Sequence, residues 1–243
     1  MTRRMAQDVE AAKGAAARSA VMGIAENERR IALGTGSTAA EAVRALARRF
    51  PQGPGLTLVA SSRATEELAA SLGLPVRALR ENDRFDLMID GADEVSTALD
   101  LTKGGGGALF REKLLAQLSH RLVIIVDEGK LVEHLGTRHP IPIEVVPFAR
   151  PVVANELATE GWTVRLRGDA SGLPFRTDNG NEVLDLMPRQ PLSDPRATHE
   201  ALRSHTGVVE TGIFAGMAER VLIGHPDGRV EERRRPDIAH RQD

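Results

Sequence analysis

Between residues 89 and 112 the sequence gathers carboxylates, an ammonium and bare backbone. Ile89-Asp90-Gly91-Ala92-Asp93-Glu94 is followed by Lys103 with Gly104, Gly105, Gly106 and Gly107, and then by Arg111-Glu112-Lys113. Proton-transfer chemistry on a small anionic substrate calls for this set: a carboxylate takes a proton, and a cation or N–H donors neutralise an oxyanion. Asp90, Lys103 and Glu112 are the candidates. Each acid also has a plain structural use. Asp90 and Asp93 suit an Asx-turn with a helix cap, and Glu112 suits the exposed first turns of a helix, where the dipole favours an acid. The glycine run costs roughly 1 kcal/mol per residue relative to alanine in ordered structure, which argues for backbone that a ligand must approach closely. The alternative is a flexible linker, which would usually mix in serine.

Gly34-Thr35-Gly36-Ser37-Thr38 follows a short apolar run and precedes a helical pattern. Glycines, hydroxyls and a helix N-terminus together suit an anion. A tight turn with Thr38 as helix cap is the simpler use. No Lys-Ser/Thr pair closes the segment as in a Walker loop, and it lacks the GxGxxG spacing of a dinucleotide site. Lys130, in Asp127-Glu128-Gly129-Lys130, is a candidate contact for phosphate or a hydroxyl; a lone lysine is otherwise solvated. The seven histidines show no metal-ligand spacing with carboxylates, so no metal site is expected.

The elements that must hold these residues alternate. An alanine-rich helix is predicted over 5–26, with Val9, Ala12, Ala16, Ala20 and Ile24 on one face. Strands are predicted at Arg30–Leu33, Leu56–Ala60, Val76–Leu79, Phe85–Ile89 and Leu122–Val126. Helices are predicted at Ala39–Arg49, from the 61–65 loop through Leu72, and at Ala108–Leu118. Continuous apolar strands alternating with helices predict an α/β, Rossmann-like fold, a mostly parallel sheet with helices on both faces. In such sheets ligands bind beyond the carboxyl ends of the strands, where loops 34–38, 61–65 and 90–94 emerge. After about residue 135 the pattern changes. Prolines 140, 142, 147 and 151 are followed by a helix near Val152–Thr159 and a strand at Trp162–Leu166. Asn179-Gly180 is a type I′ hairpin signal, and a helix is expected around Pro195–Ser204. Strands at Val208–Glu210 and Arg220–Gly224 follow. The expected domains are a Rossmann-like one over 1–134 and 206–243 and a smaller inserted α+β (ferredoxin-like) one over 135–205. The charged tail from Glu231 is expected to fray.

Composition narrows the classes. Lys plus Arg number 32 against 34 Asp plus Glu, a net charge of −2, so no broad field attracts nucleic acid or a membrane. There is no cysteine, which excludes disulfides and thiolate chemistry, and aromatic residues make up only 3%, which disfavours base stacking. No apolar run approaches the ~18 residues of a spanning helix, and no secretion signal is visible, so a cytoplasmic protein is expected.

The ordered set GTGST (34–38), DGADE (90–94), KGGGGALFREK (103–113) and DEGK (127–130) closely resembles ribose-5-phosphate isomerase of the A type. PIEVVPFAR (142–150), TDNGNEVLD (177–185), GVVETGIFAG (207–216) and VLIGHPDG (221–228) extend the resemblance over nearly the whole chain. It implies metal-free and cofactor-free interconversion of ribose 5-phosphate and ribulose 5-phosphate in the non-oxidative pentose phosphate pathway. It further implies a homodimer or higher homo-oligomer. By motif, Glu112 is the base moving a proton between C2 and C1 through a cis-enediolate, Asp90 assists ring opening, and Lys103 with nearby N–H groups holds the enediolate oxygen. Thr35, Gly36, Ser37, Thr38, Asp90, Gly91, Ala92, Asp93, Lys103, Gly104, Gly105, Gly106 and Lys130 are implied substrate contacts, with Lys13 a further phosphate contact. Gly107, Phe110 and Arg63 depart from the family's usual choices. A non-catalytic sugar-phosphate sensor is the main alternative, though no DNA-binding segment accompanies it; a CoA-transferase-like enzyme is another, with no feature for a long CoA chain.

Overall fold

The computed structural model describes residues 3–235. In chain order the elements begin with α1 (Arg3–Met22), β1 (Arg30–Leu33), α2 (Ser37–Arg49), β2 (Thr57–Ala60), α3 (Arg63–Ser71) and β3 (Leu87–Asp90). They continue with β4 (Glu94–Val95), β5 (Leu101–Thr102), α4 (Leu109–Gln117), β6 (Leu122–Asp127) and β7 (Ile141–Val145). Then come α5 (Arg150–Thr159), β8 (Thr163–Leu166), β9 (Glu182–Met187) and α6 (Pro195–Arg203). Last are β10 (Val208–Thr211), β11 (Ile213–Phe214), β12 (Arg220–Gly224) and β13 (Val230–Arg234). The chain forms two compact units.

The first unit comprises Met1–Ala92, Leu114–Lys130 and Met217–Asp243. Its sheet runs β13-β12-β6-β3-β1-β2, parallel throughout except for β13, which is antiparallel to β12 at the edge. Every residue of β6 is buried, as a central parallel strand requires. Ala12, Ala16, Ala20 and Ile24 are buried as their spacing predicts. Small side chains let α1 approach closely: a Cβ added to Gly224 on β12 would lie 1.9 Å from the Ala12 carbonyl oxygen. From β1 the chain moves outward to β2, while β3 lies on the other side of β1. The carboxyl ends of β1 and β3 therefore flank a topological switch point, the usual place for a ligand in this fold class.

Two expectations for this unit fail. Val76–Leu79 is not a strand: only Val76 bridges Leu58, and the chain then turns around Asp83, which accepts from the Arg77 guanidinium and the Arg80 N–H. Over its described part the tail does not fray, because Val230–Arg234 pairs along the whole of β12; residues 236–243 of that expectation lie outside the described residues. Alternating charges on an edge strand face solvent without cost, so composition alone reads as a loose end.

The second unit comprises Asp93–Lys113 and Leu131–Gly216. Its chain order β7-α5-β8-β9-α6-β10 folds into an antiparallel sheet ordered β10-β7-β9-β8, the split βαβ arrangement of ferredoxin-like domains. Ile141, Ile143, Val145, Val153, Leu157, Leu184 and Leu186 form its core. Asn179 does not take the positive φ of a type I′ turn. Gly180 alone does (φ 84°), in a Thr177–Gly180 turn that leaves a bulge before β9. Glu144 explains this: its buried carboxylate accepts from Thr177 Oγ1, Asn179 Nδ2 and Asn181 Nδ2, so the loop is shaped by a side chain and not by turn preference.

β7 runs through Pro142, which argues against a central strand in a sequence. Here Gly212 N–H donates to Pro142 O at 2.7 Å, and proline cannot return the bond. The Gly212 carbonyl instead accepts the N–H of Lys103 at 2.8 Å. A proline in the small sheet thus leaves open the acceptor that anchors a candidate catalytic residue. β4, β5 and β11 add a three-stranded antiparallel sheet to this unit. Buried Glu94 accepts the N–H groups of Gly136 (2.7 Å), Arg138 (2.5 Å) and His139 (2.9 Å). These links carry 93–113 and 206–216 with the second unit, whereas the expected boundaries lay at 134/135 and 205/206. Two-residue strands leave no alternation to read.

Candidate active site

In the first unit Asp90 ends β3 fully buried. Its Oδ1 accepts Gly91 N–H (2.8 Å) and, across the switch point, Thr35 N–H (3.1 Å). No helix follows, so it is not a cap. Gly34 has to be glycine: an added Cβ would sit 1.9 Å from Asp90 Oδ1. Below the loop Thr35 Oγ1 meets Ser61 Oγ (2.7 Å) and donates to Ser62 Oγ (2.9 Å), and Thr65 Oγ1 donates to Gly34 O (2.9 Å). Thr35 is thereby committed inward through both its N–H and its hydroxyl.

The cap of α2 is Gly36 (φ 105°), which offers no side-chain cap, and Thr38 lies inside the helix. The first N–H groups of α2 have no acceptor within the helix and lie at the positive end of its dipole. Lys13 donates to Ser37 Oγ at 3.0 Å and pairs with Glu10 at 2.7 Å. A lysine beside a helix N-terminus opposes the dipole, and an anion there would relieve both positive charges. Gly91 packs against Thr38, which an added Cβ would meet at 3.7 Å. Lys130 closes the short turn after β6, half-buried, where Asp127 Oδ1 accepts Gly129 N–H.

In the second unit Lys103 Nζ and Glu112 Oε1 are 3.3 Å apart, with side-chain exposures of 2% and 4%. Glu112 is therefore not the surface acid that its helix position permits. The Phe214 ring, wholly buried, lies 5.5 Å from Lys103 Nζ and 4.8 Å from Lys113 Nζ. Asp93 Oδ2 accepts Gly105 N–H at 2.8 Å, so this acid shapes the glycine loop and caps no helix. Gly104 and Gly107 adopt φ of 94° and 78°, and a Cβ on Gly107 would strike the Phe175 ring at 2.4 Å. That accounts for the fourth glycine. Gly105 and Gly106 are exposed. Lys113 is engaged by other partners, donating to Glu210 Oε1 and Thr211 O, each at 2.8 Å. Burial pushes its ammonium down to about 8 against the opposing pull of Glu210. His199, next to Glu210, is lowered by burial and by Lys113.

The expected residues thus fall into two groups. Lys103, Glu112, Asp93 and Gly104–Gly106 lie together in the second unit; Thr35–Thr38, Asp90–Ala92 and Lys130 belong to the first. Arg167, Asp185, Gly212 and Phe214 support these groups without having been singled out, whereas Gly34 was noted only as part of the 34–38 loop. Arg167 and Asp185 carry no local signal, because only strand pairing brings them to the loop. Of the family departures, Arg63 opens α3 exposed to solvent and Phe110 is half-buried at the start of α4. Among the described residues no group of His, Cys, Asp and Glu gathers as a metal site, and no helix is long and apolar enough to cross a membrane.

Comparison with known proteins agrees over most of the chain. The family model for ribose 5-phosphate isomerase A (phosphoriboisomerase A) matches residues 57–228. Ribose-5-phosphate isomerase A of Chloroflexus aurantiacus is 48% identical over 200 residues, covering 82% of this chain and 83% of its own. That of Thermomicrobium roseum is 45% identical over 228 residues, covering 93% and 95%. A solved D-ribose-5-phosphate isomerase in complex with phospho-erythronic acid superposes with a TM-score of 0.89 at 35% identity, over 94% of this chain and all of the other. With sequence and architecture matching over most of its length, the chain belongs to the ribose 5-phosphate isomerase A family.

Proposed function

We propose that this protein is an aldose–ketose isomerase that interconverts ribose 5-phosphate and ribulose 5-phosphate. The observation that carries the proposal is the buried Lys103–Glu112 pair beside exposed glycine backbone. Glu112 takes the proton from C2 of the open-chain sugar and returns it to C1. Lys103 and the loop N–H groups hold the oxygen that becomes negative between the two transfers. In a site shielded from water such donors act far more strongly than in solution. Asp90 assists ring opening and moves protons among the sugar oxygens. The first N–H groups of α2, Ser37, Lys13 and Lys130 hold the phosphate. Thr35 acts through the shape of its loop, since its hydroxyl is already engaged. The related structure with phospho-erythronic acid supports an acidic sugar phosphate as a ligand of this architecture. The proposal extends to the non-oxidative pentose phosphate pathway, a cytoplasmic setting and a homodimer or higher homo-oligomer; light scattering on the purified protein checks the last.

Proton NMR of ribose 5-phosphate with the protein in D₂O tests the chemistry. Ribulose 5-phosphate carrying deuterium at C1, with deuterium at C2 of the ribose 5-phosphate that re-forms, is the expected result. Saturable binding without turnover would overturn the isomerase in favour of a sensor.

A further inference from the structure

We propose that Arg167, held by Asp185, is a positioning residue for this isomerisation. It sets the peptide planes of the glycine loop so that Gly106 presents its N–H to the developing oxyanion beside Lys103. The inference rests on the isomerase proposed above.

A run of four glycines has more conformational freedom than a preorganised oxyanion site can tolerate. The structure shows what removes it. Arg167 leaves the end of β8 with its N–H bound to Val183 O at 2.9 Å, which ties its backbone to β9. Its guanidinium grips Asp185 with two donors: Nε lies 3.1 Å from Oδ2, and Nη2 pairs with Oδ1. Asp185 is buried in the middle of β9, opposite Pro142 of β7. A planar fork held on two edges has little choice over its third. That third edge, Nη1, donates to Gly104 O at 2.9 Å and to Gly105 O at 3.1 Å.

Peptide geometry does the rest. In a trans peptide the N–H points away from the preceding carbonyl. With the Gly104 carbonyl on Arg167, the Gly105 N–H faces the opposite way, where Asp93 Oδ2 accepts it at 2.8 Å. With the Gly105 carbonyl on the same guanidinium, the Gly106 N–H is turned outward too. It meets no acceptor among the described residues, and Gly106 is exposed. The loop is pinned at its start by Lys103 N–H on Gly212 O and at its end by the Phe175 ring on Gly107. Gly107 N–H closes the turn on Gly104 O at 2.9 Å and Asp93 holds the Gly105 N–H; Arg167 adds the contact that fixes the Gly105–Gly106 peptide.

The bland alternative is an ion pair that merely stabilises the small domain. Arg167→Met separates the two, because a structural pair alters melting and active fraction but not the chemistry of each folded site. The expected result for folded Arg167→Met is a kcat for ribose 5-phosphate lower by about 10- to 100-fold, the scale of a misplaced transition-state contact, with KM changed by less. Phospho-erythronic acid, whose carboxylate resembles the enediolate, should lose affinity by a similar factor, while inhibition by inorganic phosphate stays as in the wild type. Should Arg167→Met fail to fold, Arg167→Lys carries the test. It keeps a counter-ion for Asp185, but a single ammonium cannot span both carboxylate oxygens and both carbonyls, so the same pattern is expected. A folded variant with wild-type kcat and wild-type affinity for phospho-erythronic acid overturns the inference. A wild-type protein that does not isomerise ribose 5-phosphate overturns the isomerase itself, so the two failures are distinct.

Discussion

Lys103 Nζ lies 3.3 Å from Glu112 Oε1, and both side chains are almost entirely withdrawn from water. They come from separate elements, one after the two-residue strand β5 and the other from the first turn of α4. Burying two charges costs several kcal/mol each in real proteins, so such a pair is a poor device for stability alone. It is a good device for chemistry, because a carboxylate and an ammonium already desolvated need little reorganisation when charge moves between them.

Glu112→Gln keeps the shape of the side chain and removes the proton acceptor. Turnover of ribose 5-phosphate should fall by about a thousandfold or more, at the upper end of what general-base loss costs. Coupled-assay kinetics beside a circular dichroism melt check it; near-normal turnover would remove Glu112 from its role.

Gly34→Ala pushes a methyl group to within 1.9 Å of Asp90 Oδ1, inside a buried loop. Overpacking of this kind costs about 1–3 kcal/mol, so the denaturation midpoint should drop. Turnover should drop further than stability accounts for, because the displaced group is the Asp90 carboxylate. Urea unfolding and kcat measured on the same preparation separate the two effects.

Gly212→Ala would bring a Cβ to 2.3 Å from the Lys103 carbonyl oxygen, a backbone atom that cannot swing aside. We expect kcat to fall by about tenfold or more through displacement of Lys103. Gly168→Ala is the control, since its added Cβ meets only an ordinary contact at 3.7 Å. Equal activity in both variants would mean that the Gly212 anchor does not matter.

Lys113 makes stability depend on alkaline pH. Its folded-state pKa is held down to about 8, from an ordinary 10.5, chiefly by burial. Below about 8 both states are protonated and the folded state bears the full cost of the buried charge. Between about 8 and 10.5 the unfolded chain binds the extra proton, so stability rises with pH over that window. Relative to Lys113→Met, the wild type should gain melting temperature from pH 8 to pH 10; parallel curves would count against it.

Prolonged dialysis against EDTA should leave the isomerisation rate unchanged. The proposed proton shuttle uses only a carboxylate, an ammonium and backbone donors. A loss of rate restored by a divalent cation would require a different mechanism.

Much of this protein was readable along the chain because its signals are local. Apolar strands alternating with helices gave the parallel sheet, and α2, α4, α5 and α6 lie within a residue or two of their predicted spans. The acids, the lysine and the glycine run were visible because their types and order are unusual in any loop. What failed locally depended on partners far away in sequence. Pro142 argues against a central strand until Gly212 is seen opposite it, and Asn179-Gly180 reads as a type I′ turn until Glu144 takes hold of the loop.

Residue types and their spacing therefore determined which chemistry this chain could attempt. Tertiary structure alone decided that Glu112 is buried against Lys103, that Thr35 turns inward, and that Arg167 reaches the glycine loop from a different sheet. The physical reason is that burial and hydrogen-bond partnership are properties of packed surfaces. A linear pattern reports which face a side chain takes on its own helix or strand, but not which distant side chain that face will meet.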